Sequence, residues 1–297
     1  MNEYSPLPAK EDIEALDDEL ARENVPVIDR PTAALLRWSE RENGHGDFVF
    51  IGEFFEKAFR ELHPSVQFDG RPFMQLAVCG KGIAYPYFPP VVFGTVKINP
   101  VEFVKISKAE LERIWVTDQN SFWSIFLQAV DCFDLFMAHL NFNFKVPEGS
   151  AMAQIAKDQL QSVAGQLIKC NNDSSIGQSL ALSVELSIKA ALCELGVKEA
   201  ELKSYRHDLT KAYSALAKIK PERDWDKLAL AAMQFIPPYV ESRYGKPFTI
   251  KVTEHGMYEA ALNLVATVNR KLTKNSMLDR LKDDDIPVRE WRILPLD

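Results

Sequence analysis

"SLALSVELSIKAALCELGV", residues Ser179 to Val197, is the stretch on which the reading of the fold turns. Its apolar residues recur without a proline. Leu182, Leu186 and Cys193 fall on one side at helical spacing, and Gly196 stands in the C′ position where helices often stop. The pattern predicts a helix from about Ser175 to Leu195.

The same period continues on both sides. Upstream, Met152, Ile155, Ala156, Leu160, Val163 and Leu167 make a stripe over about Ala151 to Lys169. Downstream, Leu209, Ala212, Tyr213, Leu216 and Ile219 share a register that starts near Asp208 and ends before Pro221. A short helix is expected over about Trp225 to Phe235, stopped by Pro237 and Pro238. A last one is expected over about Glu254 to Leu272. Short connections between such segments predict an antiparallel bundle over residues 150–272. "KVPEGS", Lys145 to Ser150, carries Pro and Gly and separates this region from a different one before it.

Residues 31–146 read as a mixed domain. "DFVFIGEFFEKAFRELH" begins like a strand and becomes helical, with Phe54, Phe55, Ala58, Phe59 and Leu62 on one broad face. "FMQLAVCGKG" and "PPVVFGTVKINPVEFVKIS" read as strands with turns. Ser107 with Glu110 has capping-box spacing at the start of the next helix, and an aromatic-rich helix spans about Asn120 to Leu140. Residues 1–30 form an acidic, proline-bearing arm. It holds one short helix whose Ile13, Leu16 and Leu20 share a face. Residues 273–297 form a tail in which Trp291, Ile293 and Leu294 are available to pack on the body or a neighbour. The fold class is therefore α+β: a mixed N-terminal domain followed by an all-α antiparallel helical bundle.

The 297 residues are 46% hydrophobic and 26% charged, with a formal net charge of −7. This excludes a uniformly basic surface of the kind that coats nucleic acid, so no DNA partner is expected. The N-terminus lacks a basic region followed by an apolar core. The most apolar stretch, "SFWSIFLQAVDCFDLFMAHL", is interrupted by Gln128, Asp131 and Asp134. No membrane span is expected, and a cytoplasmic location is. Cys79, Cys132, Cys170 and Cys193 are scattered, with no CxxC and no histidine at ligand spacing, so no metal site and no cofactor are expected. "CGKG" (Cys79 to Gly82) is not a phosphate-binding P-loop. Cys79 reads as a half-buried strand cysteine or as a thiol activated by Lys81. "NGHGDF" reads as a turn.

Three motifs carry a family resemblance. They are Glu185-x-x-x-Lys189-Ala190-Ala191-Leu192, the helix-opening His207-Asp208-Leu209, and Ser242-Arg243-Tyr244. In their order, the chain over about residues 150–272 resembles the HEPN family, helical bundles found in nucleotide-related and RNA-targeting systems. The resemblance implies a bundle of four or five helices that dimerises, with a nucleotide or RNA as partner, in a prokaryotic stress or defence setting. Activities in the family range from metal-independent RNA cleavage to nucleotide binding and scaffolding. The cleaving members look like Arg, four to six residues, then His on one helix. Here Arg206 directly precedes His207, and Arg243 stands twelve positions before His255. Binding or scaffolding is the reading that carries over. The alternatives are RNA cleavage by His207 with Arg206 or Arg243, and a purely structural oligomer.

Each candidate reads two ways. Glu185 and Lys189 are an i,i+4 pair, either a surface ion pair or part of a groove mouth that meets His207. Asp208 reads as an N-cap, and His207 as a packing residue or as the catalytic histidine. Arg206 with the helix N-terminus is a candidate phosphate contact. In "ESRYGKPF", Arg243 and Lys246 are candidate phosphate ligands and Tyr244 a candidate stacking residue, unless the segment is a plain loop.

Overall fold

The computed structural model describes residues 7–27, 29–41, 48–66, 74–89, 97–171, 175–221, 226–239, 252–273 and 276–283. Packing divides the chain into two compact units. One carries the described residues up to 66, the other residues 74–89 and 97 onward.

The first unit holds α1 (Lys10–Arg22), α2 (Arg30–Arg41) and α3 (Phe48–Leu62). The helix expected in the acidic arm is present, but it is no loose appendage. Ile13, Leu16 and Leu20 are buried against Ala34, Leu35, Phe55 and Phe59. Its acidic side engages too: Arg30 donates to Asp17 at 3.0 Å and Arg37 to Glu19 at 2.6 Å. Phe48 to Ile51, strand-like in sequence, belong to α3.

The second unit opens with an antiparallel hairpin, β1 (Leu76–Gly80) and β2 (Ile83–Tyr87), joined by the two-residue turn Lys81–Gly82. Both turn residues have positive φ, which suits the twist of a tight hairpin. The first expected strand is thus present. The second pairing partner is the segment before "PPVV", and Pro100–Phe103 form a 3-10 turn. Helices α4 (Lys108–Thr117), α5 (Gln119–Asn141), α6 (Pro147–Ile168), α7 (Ile176–Glu194), α8 (Glu199–Ser204), α9 (Leu209–Ile219), α10 (Asp226–Ala232), α11 (Glu254–Leu272) and α12 (Met277–Asp283) follow. The Ser107 hydroxyl caps α4 by accepting from the Glu110 amide. Among the described residues the protein is therefore mostly helical, with one small sheet.

Helices α5, α6, α7 and α11 pack together, α9 lies on α7, and β1 lies on α5, α6 and α11. The break expected at residues 145–150 separates α5 from α6 in sequence, but both sides build one core. The reason is a polar seam between α5 and α11. Ser124 meets Glu259, Asp131 meets Asn263, and Asp131 and Asp134 meet Arg270. The partners advance in the same direction along both helices, so α5 and α11 run parallel. The leucines expected to face inward on α7, Leu182 and Leu186, are only half-buried. Leu180, Val184, Ile188 and Leu192 are fully buried, together with the small residues between them. Neighbours on several sides bury α7 too broadly for one stripe to mark its inner face.

Arg270 is 2% exposed, and donates to Asp131 at 2.7 Å and to Asp134 at 2.6 Å. Burial opposes its charge, and the two carboxylates outweigh that and hold its pKa above the ordinary arginine value. Asp134 also accepts from the Ser276 hydroxyl and the Leu278 amide, so a carboxylate of α5 caps α12. By length and composition alone α5 and α7 are apolar enough to cross a membrane. Some 67% and 72% of those windows are buried inside the protein, as in core helices. Replacing Arg270 by Met leaves two buried carboxylates without their cation. We expect a loss of about 3–5 kcal/mol in urea unfolding. A loss under about 1 kcal/mol would refute this role for the seam.

Candidate functional site

The site begins with a buried carboxylate. Glu185 lies on α7 with its side chain 5% exposed. One turn on, Lys189 donates from Nζ to Glu185 Oε1 at 2.6 Å. From the connection between α8 and α9, His207 Nδ1 meets Glu185 Oε2 at 2.8 Å. A carboxylate only accepts, so Nδ1 carries the hydrogen and Nε2 is the nitrogen left to a ligand. Three residues named from sequence therefore converge. Glu185 and Lys189 are not a surface pair: their side chains are 5% and 14% exposed, and Glu185 holds the His207 ring.

Lys189 does a second job, donating to the Arg206 carbonyl at 2.7 Å. Arg206 has a φ of +50°, in the left-handed region that a β-carbon disfavours. The ammonium holds the carbonyl of a strained turn, and the turn aims His207 at Glu185. The Arg206 side chain is exposed. Asp208 is the N-cap of α9, accepting from the Lys211 amide at 2.9 Å. It is spent on the backbone and forms no His–Asp pair. Tyr205 lies below, donating to Glu201 at 2.6 Å. Burial and the neighbouring carboxylate push its pKa up to about 12.

Tyr239 is the residue that sequence reasoning passed over. Its ring stacks on His207 with centroids 4.9 Å apart and planes 26° apart. The two rings border a cleft of about 200 Å³ that also meets Ala181, Met233, Ile236 and Pro237. Gly177, in the first turn of α7, lets the Pro237 loop come close: a β-carbon there would lie 3.0 Å from Pro237 Cγ. An aromatic directly after Pro237-Pro238 was the available signal, since the prolines stiffen the segment that presents it. His207 itself is 45% exposed. Arg243, Tyr244 and Lys246 lie outside the described residues.

The cysteines are free thiols. Cys79 is not activated: burial first, and then the charge of Glu259, push its pKa up. Among the described residues no group of three or more His, Cys, Asp or Glu is placed to hold a metal ion. The arrangement can therefore present a fixed, half-exposed imidazole beside a phenol ring, for stacking or for proton exchange through Nε2. No protein-family model, curated protein or solved structure matches this chain.

Two substitutions separate scaffold from site. Asp208→Ala removes a cap, and we expect it to cost about 1 kcal/mol in urea unfolding. Arg206→Gly relieves a left-handed β-carbon, so stability should hold or rise by up to about 1 kcal/mol. A clear loss in the glycine variant would show that the Arg206 side chain, not its backbone, supports the turn.

Proposed function

We propose that the chain is a HEPN-like, nucleotide- or RNA-associated binding protein, cytoplasmic and homodimeric, whose ligand rests on the pair His207 and Tyr239. The supporting observation is the imidazole itself: Nδ1 on a buried carboxylate, one face on a tyrosine, and nearly half its surface open. A fixed ring loses little freedom when a base stacks beside it, and every base has a π-face to offer. Arg206, exposed next to His207, supplies a cation at the reach of a phosphate. The net charge of −7 confines any such contact to a local patch.

The reading is tested with a nucleotide panel in thermal shift and a short fluorescent single-stranded RNA in anisotropy. A ligand of the native state raises the melting temperature by mass action. Base stacking is worth about 1–3 kcal/mol, so Tyr239→Ala and His207→Ala should each weaken binding by roughly fivefold or more. A flat response to every nucleotide and to RNA would favour the purely structural oligomer.

A second reading, metal-independent RNA cleavage, has one observation in its favour. The Glu185–His207 contact is the carboxylate–imidazole pair that general acid–base catalysis uses, and it occupies Nδ1 of a ring that is 45% exposed. RNA incubated with the protein in chelator should then be cut, and His207→Ala should abolish the cutting. Absent or unchanged cleavage rejects this reading and leaves the binding reading to the anisotropy.

A further inference from the structure

A cavity of about 280 Å³ lies at one end of the bundle, bounded by the last turns of α5 and α11, the first turns of α6 and the second half of α7. Spaces between bundle helices are a favoured place for small-molecule sites. An apolar cavity of about 150 Å³ holds a benzene ring, so this one has room for a ring with a head group. Its floor is core: Met74, Leu135, Ala156, Ala190, Val265 and Val268 are each 4% exposed or less. Phe142 and Phe144, edge to face with centroids 5.0 Å apart, stand on its border.

One polar group is set among these apolar ones. Ser187 is 5% exposed, and among the described residues its hydroxyl has no hydrogen-bond partner. Ser183, one turn earlier on α7, donates instead to the Ala156 carbonyl at 2.7 Å. An interior hydroxyl left unpaired is costly, and a ligand oxygen in the cavity would satisfy it.

Two further groups keep hydrogen-bonding capacity. Asn269 donates to the Val265 carbonyl at 2.8 Å, which leaves its Oδ1 as an acceptor. Lys157 Nζ meets His139 Nε2 at 3.0 Å. An ammonium only donates, so Nε2 accepts and Nδ1 carries the ring's hydrogen. Desolvation, and then the charge of Lys157, push the His139 pKa down to about 4, so the ring is neutral near neutral pH.

This lining selects an uncharged ligand. Among its described residues it offers no carboxylate to receive an ammonium. A carboxylate would lose its water against the apolar floor and would meet a second acceptor, Asn269 Oδ1. Ser187 and His139 donate, and Asn269 accepts. A primary carboxamide is the complement, with an oxygen that accepts and two hydrogens that donate.

We propose that this cavity binds an uncharged small molecule with a ring-sized apolar body and a carboxamide head, the body on the floor formed by α5 and α11 and the carbonyl oxygen on Ser187. The site uses none of the groups at the His207 cleft and stands or falls separately from it.

The test is a ligand-detected NMR titration on the full chain with benzamide as the probe. Benzoate and benzylammonium, the same ring with a charged head, are the controls. We expect saturable binding of benzamide and weaker binding of both ions. Ser187→Ala should weaken benzamide by roughly fivefold, the loss of one neutral hydrogen bond. The melting temperature of the unliganded variant should hold or rise, because the hydroxyl removed has no partner; a merely structural serine would do the reverse. Ser150 is exposed on the lining, and Ser150→Trp should obstruct the cavity without touching the core. His207→Ala should leave benzamide binding unchanged. The proposal is overturned by no saturable benzamide binding, by either ion binding as tightly, by undiminished affinity in Ser187→Ala, or by lost binding in a natively folded His207→Ala. Should Ser187→Ala lose its native circular dichroism, undiminished binding in Ser150→Trp overturns it instead.

Discussion

A charged arginine sits in the core of this protein, and the second unit is arranged around keeping it neutralised. Removing an ion from water costs several kcal/mol, repaid only where geometry and supplementary hydrogen bonds are good. Arg270 meets that condition in part: Nε and Nη2 each reach an aspartate on α5, while the buried Nη1 has no partner. Satisfying it fixes the rotation of α5 against α11 and their parallel sense. It also seats the start of α12, whose amide and Ser276 hydroxyl use the same Asp134 carboxylate. With α5 so rotated, its next polar residues, Gln128 and Ser124, face β1 and Glu259. The pocket beside Glu259 is thus a continuation of the seam toward the surface.

The His207 cleft is built on the same logic at smaller scale. Glu185 is buried, and its two oxygens go to Lys189 and His207. Lys189 extends the arrangement to the strained Arg206 carbonyl. One carboxylate therefore binds α7 to the α8–α9 corner and orients the half-exposed His207 ring. Acidic residues chosen for burial, not for surface charge, organise both this cleft and the polar seam.

Much of the secondary structure was legible, because caps and breakers act locally. Ser107, Asp208 and the glycine after α7 do what their spacing predicts. The meeting of Glu185, Lys189 and His207 was legible as well, since an i,i+4 acid–base pair shortly before a helix-opening histidine can meet across one corner. Other features were misread. Gln128, Asp131 and Asp134 registered only as interruptions of an apolar run. With Ser124, and matched by Glu259, Asn263 and Arg270 on α11, they form facing stripes at helical spacing. The pattern was present in each helix, but a stripe means pairing only when its partner, more than a hundred residues away, is known to face it. Tyr239 was missed for the same reason: it counts only because the loop after α10 folds back on His207.

Alone, the sequence determined where α1, α4, α5, α6, α7, α9, α10 and α11 run, several of their ends, the hairpin's first strand and the apolar face of α1, because these follow from backbone capping, periodicity and turn chemistry within a few residues. Tertiary structure decided that α1 is docked, that α5 belongs with the C-terminal bundle, and which polar residues are interior. Those outcomes depend on desolvation, and desolvation is a property of what surrounds a residue in space, not of its neighbours along the chain.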